Sequence, residues 1–170
     1  MKQSLPITAA NDKLAAWLIF PGILLIYLLF PTKNYYWDGI SFARVIEDAS
    51  TLNSSLLHPN HLIYSVAGYF LYKGTQLVGL NWRAIEVLQI VNCFVSVLTA
   101  FLLFRILGRA LSSSYLAWTL TLMFAFSANW WKFSVDANAY IPSVFFLLLA
   151  FNFILPDAEP KPLVVALLFS

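Results

Sequence analysis

Apolar positions run almost unbroken through residues 14–30, 84–104, 111–131 and 139–155, and polar residues gather in the short islands between them. A bilayer's hydrocarbon, about 30 Å thick, needs roughly 17–25 apolar residues in a helix, so each stretch predicts a membrane span or nearly one. In the first, Pro21-Gly22 predicts a bend. Another apolar run begins at Leu163 and reaches Ser170. Eight helical residues rise only about 12 Å, so the chain is expected to be the N-terminal portion of a larger protein. Between the first two stretches, residues 31–83 change pattern. Ile40, Phe42, Ala43, Ile46 and Ala49 recur at three- and four-residue spacing, with Ser41, Arg44 and Asp48 opposite. That predicts a short amphipathic helix over Gly39–Ala49, lying on a bilayer surface. The expected architecture is all-α: one membrane domain, a polytopic transmembrane helical bundle whose extracytoplasmic loop carries short amphipathic and juxtamembrane helices.

Composition agrees with that pattern. The chain is 61% hydrophobic, 17% aromatic and 11% charged, against roughly 25% charged residues in a soluble domain. An integral membrane protein is expected, in the plasma (inner) membrane. A net charge of +2 with no run of Lys or Arg gives no footprint for nucleic acid and no polybasic patch. Cys93 stands alone, which excludes a disulfide within the chain and fits a small core residue. The first stretch, "LAAWLIFPGILLIYLLF", is longer than a signal-peptide apolar core and lacks an A-x-A-like cleavage site, so it reads as a retained span.

Topology turns on 61–80, "HLIYSVAGYFLYKGTQLVGL", long enough to cross but interrupted by Lys73, Gly74, Thr75 and Gln76. If it crosses, the loop at 31–60 and the "SVDANAY" segment lie on opposite sides. If it lies at the interface or re-enters, they share one side, and Arg105, Arg109 and Lys161 join Lys2 and Lys13 on the other. Charge counting divides evenly, with Lys33, Arg44, Lys73, Arg83 and Lys132 left outside. The "FRILGRALSS" turn carries two arginines and no acid, and short basic loops stay inside. The interfacial placement is therefore preferred, which collects Asp38, Glu47, Asp48, His58, His61, Glu86 and Asp136 on one face.

Candidate chemistry follows from that face. Asp38 precedes the amphipathic helix, where it can cap the first turn's N–H groups or, beside the interfacial anchors Tyr36 and Trp37, serve as a base at the membrane surface. His58 and His61 are three apart in "HPNH" and share a helical face. They read as polar tips, as substrate contacts, or as ligands to a divalent metal together with Asp38 or Glu47. In "WWKFSVDANAY", Asp136, Asn138 and Tyr140 form either a solvated turn in an aromatic belt or the far wall of a cavity facing Asp38. Arg44 with Glu47 or Asp48, and Arg83 with Glu86, have ion-pair spacing. Arg44, Arg83 and Lys73 are alternatively candidates for a lipid phosphate. "NSS" at 53–55 matches the N-glycosylation pattern.

The ordered set "YYWDGISFARVIE", "HPNHLIY", an Arg-bearing span, "LFRILGR" and "W...SVDANAY" resembles the N-terminal half of polytopic glycosyltransferases of the GT-C class, especially the protein O-mannosyltransferase-like group. The resemblance covers about residues 14 to 155. It implies transfer of a sugar from a polyprenyl-phosphate carrier at the extracytoplasmic face, with Asp38 as the catalytic carboxylate, membrane lipid as a partner and an acceptor that the motifs do not identify. The chain departs from the group at Asn60, where many relatives have a second Pro, and at Asn138-Ala139-Tyr140, where they often have "EVY". A membrane transporter or a non-catalytic membrane subunit is the alternative.

Overall fold

A computed structural model describes residues 10–57, 61–111 and 113–154. His58 and the expected helix start at 163–170 lie outside the described residues. Those described form seven α-helices and no sheet: α1 (Ala10–Leu29), α2 (Trp37–Asp48), α3 (Leu62–Leu77), α4 (Ala84–Ala110), α5 (Ser114–Ala125), α6 (Ala128–Ser134) and α7 (Tyr140–Ile154), with a 3₁₀ turn at Ser54–Leu56.

α4 is the axis of the molecule. Its 27 residues would extend roughly 40 Å, and every other α-helix packs against it. It alone among the described residues is long and apolar enough to cross a bilayer, and it is mostly buried. The other expected spans are shorter. The apolar part of α1 is Leu14–Leu29 and α7 ends at Ile154. The stretch at 111–131 is two helices, not one: α5 stops at Ala125, where Phe126 N–H closes onto the Leu122 carbonyl, and an extended Ser127 starts α6. The expected "FRILGR" turn is helix as well. Arg105 and Arg109 lie in the last turns of α4, with Arg109 donating to the Asn152 carbonyl (3.1 Å). Ser113 accepts the Leu116 N–H and so caps α5.

Side-chain contacts fix the direction of each helix. Phe20 of α1 meets Phe104 and Trp118, and Tyr27, seven residues on, donates to the Ala125 carbonyl (2.6 Å). α1 and α5 therefore run together, antiparallel to α4. Asn92 reaches the carbonyls of Asp136 and Asn138 just before α7, and Arg109 reaches Asn152 near its end, so α7 runs parallel to α4. The C-termini of α1 and α5 and the N-termini of α4 and α7 consequently share one end of the bundle.

α2 and α3 pack at that same end. Tyr64 lies against Asn92, Gly68 against Leu88, and Tyr72 close to Arg83, so α3 runs antiparallel along the opening turns of α4 without reaching the opposite end. Gly68 permits this approach, since a Cβ there would stand 2.7 Å from both Ile46 Cδ1 and Leu88 Cδ2. A small core of Phe42, Ile46, Leu56, Tyr69 and Leu88 joins α2, α3 and α4. A larger one of Phe20, Tyr27, Val97, Phe104 and Trp118 holds the bundle. The outer surface is oily, with Trp17 79% exposed, Leu18 67%, Tyr115 81% and Met123 66%.

Gly39 makes a closer approach than Gly22, Gly68, Gly74 or Gly79. A Cβ there would collide with the Ala137 carbonyl oxygen, which is backbone and has no rotamer with which to yield. Gly39→Ala is expected to destabilise by about 1–3 kcal/mol. Gly22→Ala, where nothing lies within 4 Å, should be neutral or slightly stabilising. Thermal unfolding of the two variants in detergent checks the contrast.

Candidate functional site

The polar end of the bundle is organised from α4. Gln89 and Asn92 are three apart and therefore share a face, and both are buried. The Gln89 side-chain nitrogen donates to the Thr32 (2.8 Å) and Val135 (2.7 Å) carbonyls. Asn92 does the same for Asp136 and Asn138, each at 2.8 Å. Two side-chain amides thus hold four carbonyls from segments far apart in sequence. Thr32 N–H also donates to Val135 (3.1 Å), which joins the segment after α1 directly to the one before α7.

Asp136 completes the junction. Its Oδ2 accepts the Tyr36 N–H (2.9 Å) and its Oδ1 the Ala137 N–H (2.7 Å), and it is wholly buried. Burial raises its carboxyl above the usual aspartate range, although the two N–H donors and the Lys132 charge pull it down. Both of its oxygens accept backbone N–H groups, so within the described residues the carboxylate serves the junction. Asn138 is likewise a structural residue: buried, with Oδ1 accepting the Tyr140 N–H (2.8 Å) at the start of α7.

The junction places Asp38. α2 begins at Trp37, and Tyr36 stands at its N-cap without a side-chain capping bond, so Asp38 is the second helical residue and not the cap. Tyr36 N–H is bound by Asp136 two positions before Asp38, and Gly39 sits on Ala137 one position after it. Asp38 is half-buried, and its carboxylate makes no hydrogen bond or ion pair among the described residues. A negative charge in a first helical turn is favoured by the helix dipole. The result is an unengaged carboxylate on a backbone held from both sides.

The remaining candidates separate into neighbours and outliers. His61 opens α3 with its ring edge-on to Phe42 (5.8 Å) and to the half-exposed Tyr140 (5.5 Å). Tyr140 also meets Phe133, which meets Tyr36, so an aromatic rim surrounds this end. Arg44 forms only an exposed pair with Asp48 (3.7 Å), of little energetic weight. Lys73 lies over the Tyr69 and Tyr72 rings at 5.4 and 5.9 Å. The expected Arg83–Glu86 ion pair is replaced. Glu86 accepts the Arg83 backbone N–H (2.8 Å), while the guanidinium forms a two-bond fork with Glu47 at 2.8 and 2.9 Å. Glu47 also accepts the Ala84 N–H (2.9 Å), so it closes α2 onto the start of α4 and offers no free oxygen to a metal. Among the described residues no three His, Cys, Asp or Glu side chains cluster as a metal site would require.

Gln89 and Asn92 escaped the pattern of apolar positions. Their signal is "QIVN", two amides three apart inside a span, where a buried polar side chain must find a partner. Nearby, the Tyr64 hydroxyl faces Asn92 and the Asn138 backbone without reaching either in good geometry, leaving it and Asn92 Oδ1 without a partner among the described residues.

Asn92→Leu leaves the Asp136 and Asn138 carbonyls buried and unpaired, at about 1–3 kcal/mol each. Ser96→Ala removes a buried hydroxyl that has no partner and should be near neutral. Unfolding in detergent is expected to rank them so, and the reverse order would remove the anchor. Arg83, with the Ala84 N–H, holds Glu47 below the ordinary glutamate range against the opposing effect of burial. Its contribution to stability is therefore full above the unfolded value of about 4.3 and is lost as pH falls through the lower folded value. Glu47→Gln should abolish that part of the acid limb in melting curves. Comparison with known proteins finds no matching family model, no matching curated protein and no matching solved structure.

Proposed function

We propose that the chain is part of a polytopic membrane glycosyltransferase that moves a sugar from a polyprenyl-phosphate carrier to an acceptor at the extracytoplasmic face. The observation that carries this reading is the state of Asp38. Of the carboxylates gathered at the polar end, Asp136 and Glu47 are committed to backbone and arginine donors, Glu86 accepts a capping N–H, and Asp48 pairs on the surface. Among the described residues, Asp38 alone has its backbone held on both sides and its carboxylate unengaged. The motif resemblance independently points to the same residue. Support for the bilayer comes from the large apolar side chains that α1 and α5 leave exposed, Trp17, Leu18, Tyr115 and Met123 among them.

In the proposed step, Asp38 accepts the proton of the acceptor's hydroxyl as that oxygen attacks the anomeric carbon. The bond from carbon to the carrier's phosphate oxygen breaks, and the polyprenyl phosphate leaves with the electron pair. The contribution of Asp38 is orientation of the nucleophile and acceptance of its proton. His61 and Tyr140, in ring contact at the same end of the bundle, would contact the substrate, and the Tyr36 and Trp37 rings would anchor α2 at the interface. A divalent metal is not required by this arrangement, and His61 is the described residue best placed to contact a phosphate.

A transporter or non-catalytic membrane subunit is the second reading. It is favoured by Asn92 Oδ1, Ser96 Oγ and Asn152 Oδ1, unpaired polar atoms within the bundle. It ranks lower because Asp136, at the bundle's end, is the one buried carboxylate among the described residues, whereas ion pathways place charged groups near the midplane. Asp38→Asn in the full-length protein decides between them. Sugar transfer to acceptor is expected to fall by at least about 10²-fold, the usual lower bound for loss of a general base, with expression and melting unchanged. Undiminished transfer would exclude Asp38 as the base.

A further inference from the structure

Between the end of α1 and the start of α4 lies a half-open cavity of about 280 Å³, just below the usual range for a small-molecule pocket. Tyr27, Leu28, Trp82, Glu86, Gln89 and Cys93 are among its lining residues. The lining holds one formal charge, the Glu86 carboxylate, and no cation. Arg83 is close enough to sense Glu86, but its guanidinium is held by Glu47. Gln89 is oriented by its nitrogen, which donates to two carbonyls, so its oxygen is left without a partner among the described residues. Tyr27 has already donated its hydroxyl to Ala125, leaving its ring, with that of Trp82, as surface.

We propose that this cavity binds the protonated amine of an ethanolamine phospholipid. A primary ammonium supplies the hydrogens that the Glu86 and Gln89 oxygens accept, and charge-assisted bonds of this kind are the strong ones. The indole and phenol rings add attraction for the same cation. The occupant is an amphiphile because the cavity is continuous with the oily exterior: Leu28 lines it while 38% exposed, beside Leu25 and Leu29 at 57% and 63%. The volume admits a headgroup and excludes a pair of acyl chains, which would remain in the surrounding lipid. With the transferase reading this inference shares only the placement in a bilayer, and neither Glu86 nor Leu28 has a part in the proposed sugar transfer.

Calorimetric titration of the full chain in detergent with dihexanoyl-phosphatidylethanolamine, -phosphatidylcholine and -phosphatidylglycerol tests the proposal. The ethanolamine lipid is expected to bind at least about tenfold more tightly than either of the others, since choline keeps the charge but has no N–H and glycerol has neither. Glu86→Gln should erase that preference while retaining the capping bond to Arg83 N–H, which a glutamine oxygen can also accept. Leu28→Trp, which fills the mouth and leaves the charge, should abolish binding. Equal affinity for phosphatidylglycerol, a preference surviving in Glu86→Gln, or binding undisturbed by Leu28→Trp would each overturn it. Free ethanolamine binding as tightly as the lipid would overturn the lipid as occupant. Should Glu86→Gln fail to fold, the wild-type ranking and Leu28→Trp decide. Sugar transfer by the Asp38→Asn protein is a separate readout, so failure of one proposal leaves the other standing.

Discussion

Two amide side chains one turn apart on α4 set the geometry of everything at the polar end. Gln89 and Asn92 together donate to the carbonyls of Thr32, Val135, Asp136 and Asn138. A buried carbonyl without a donor costs about 1–3 kcal/mol, so the loops after α1 and before α7 have one favourable seat against α4 and no nearby substitute. Regular secondary structure does not supply these bonds, because the carbonyls belong to segments between helices, where no ladder exists. Once the two loops are seated, Asp136 reaches the Tyr36 N–H and the start of α2 is fixed in turn.

That order of dependence explains why carboxylates so close in space have different employments. Asp136 lies inside the junction and bonds backbone on both sides, so burial and hydrogen bonding make it part of the scaffold. Glu47 lies at the other end of α2 and fastens it to α4 through Arg83 and the Ala84 N–H. With α2 pinned at both ends, Asp38 in its first turn needs no partner of its own to be well placed. A side chain that must react is better oriented by the backbone beneath it than by a bond that reaction would have to break.

The helical character of the chain was legible in its apolar runs, and so was the amphipathic stretch over residues 39–49, whose buried Phe42, Ala43 and Ile46 face α3 and α4. Boundaries were not. Phe126-Ser127 breaks an apolar stretch with no proline or glycine to mark it, and Arg105 and Arg109 continue a helix where a turn was expected, because α7 offers the Asn152 carbonyl as a partner. At the site, composition drew attention to charges, and Asp38, Asp136 and His61 do gather at one end. Which of them is free depends on tertiary partners. Arg83 has Glu86 at helical spacing, yet its guanidinium takes Glu47, 36 positions away, because a fork of two bonds outweighs a single local contact. No periodicity within the chain contains that choice.

Why α4 carries amides and not charges at its anchoring positions follows from their burial. An ion drawn from water into low dielectric loses several kcal/mol of solvation unless a counter-ion accompanies it, and a second charge would have to come from loops that are themselves short. A side-chain amide loses far less on burial, carries two donors, and meets two carbonyls at once. It therefore fastens irregular backbone to a long, apolar and mostly buried helix without placing an ion in its core. The same helix can then be both the bundle's axis and the foundation of its polar end, and Asp136 is the one carboxylate among the described residues that is buried there.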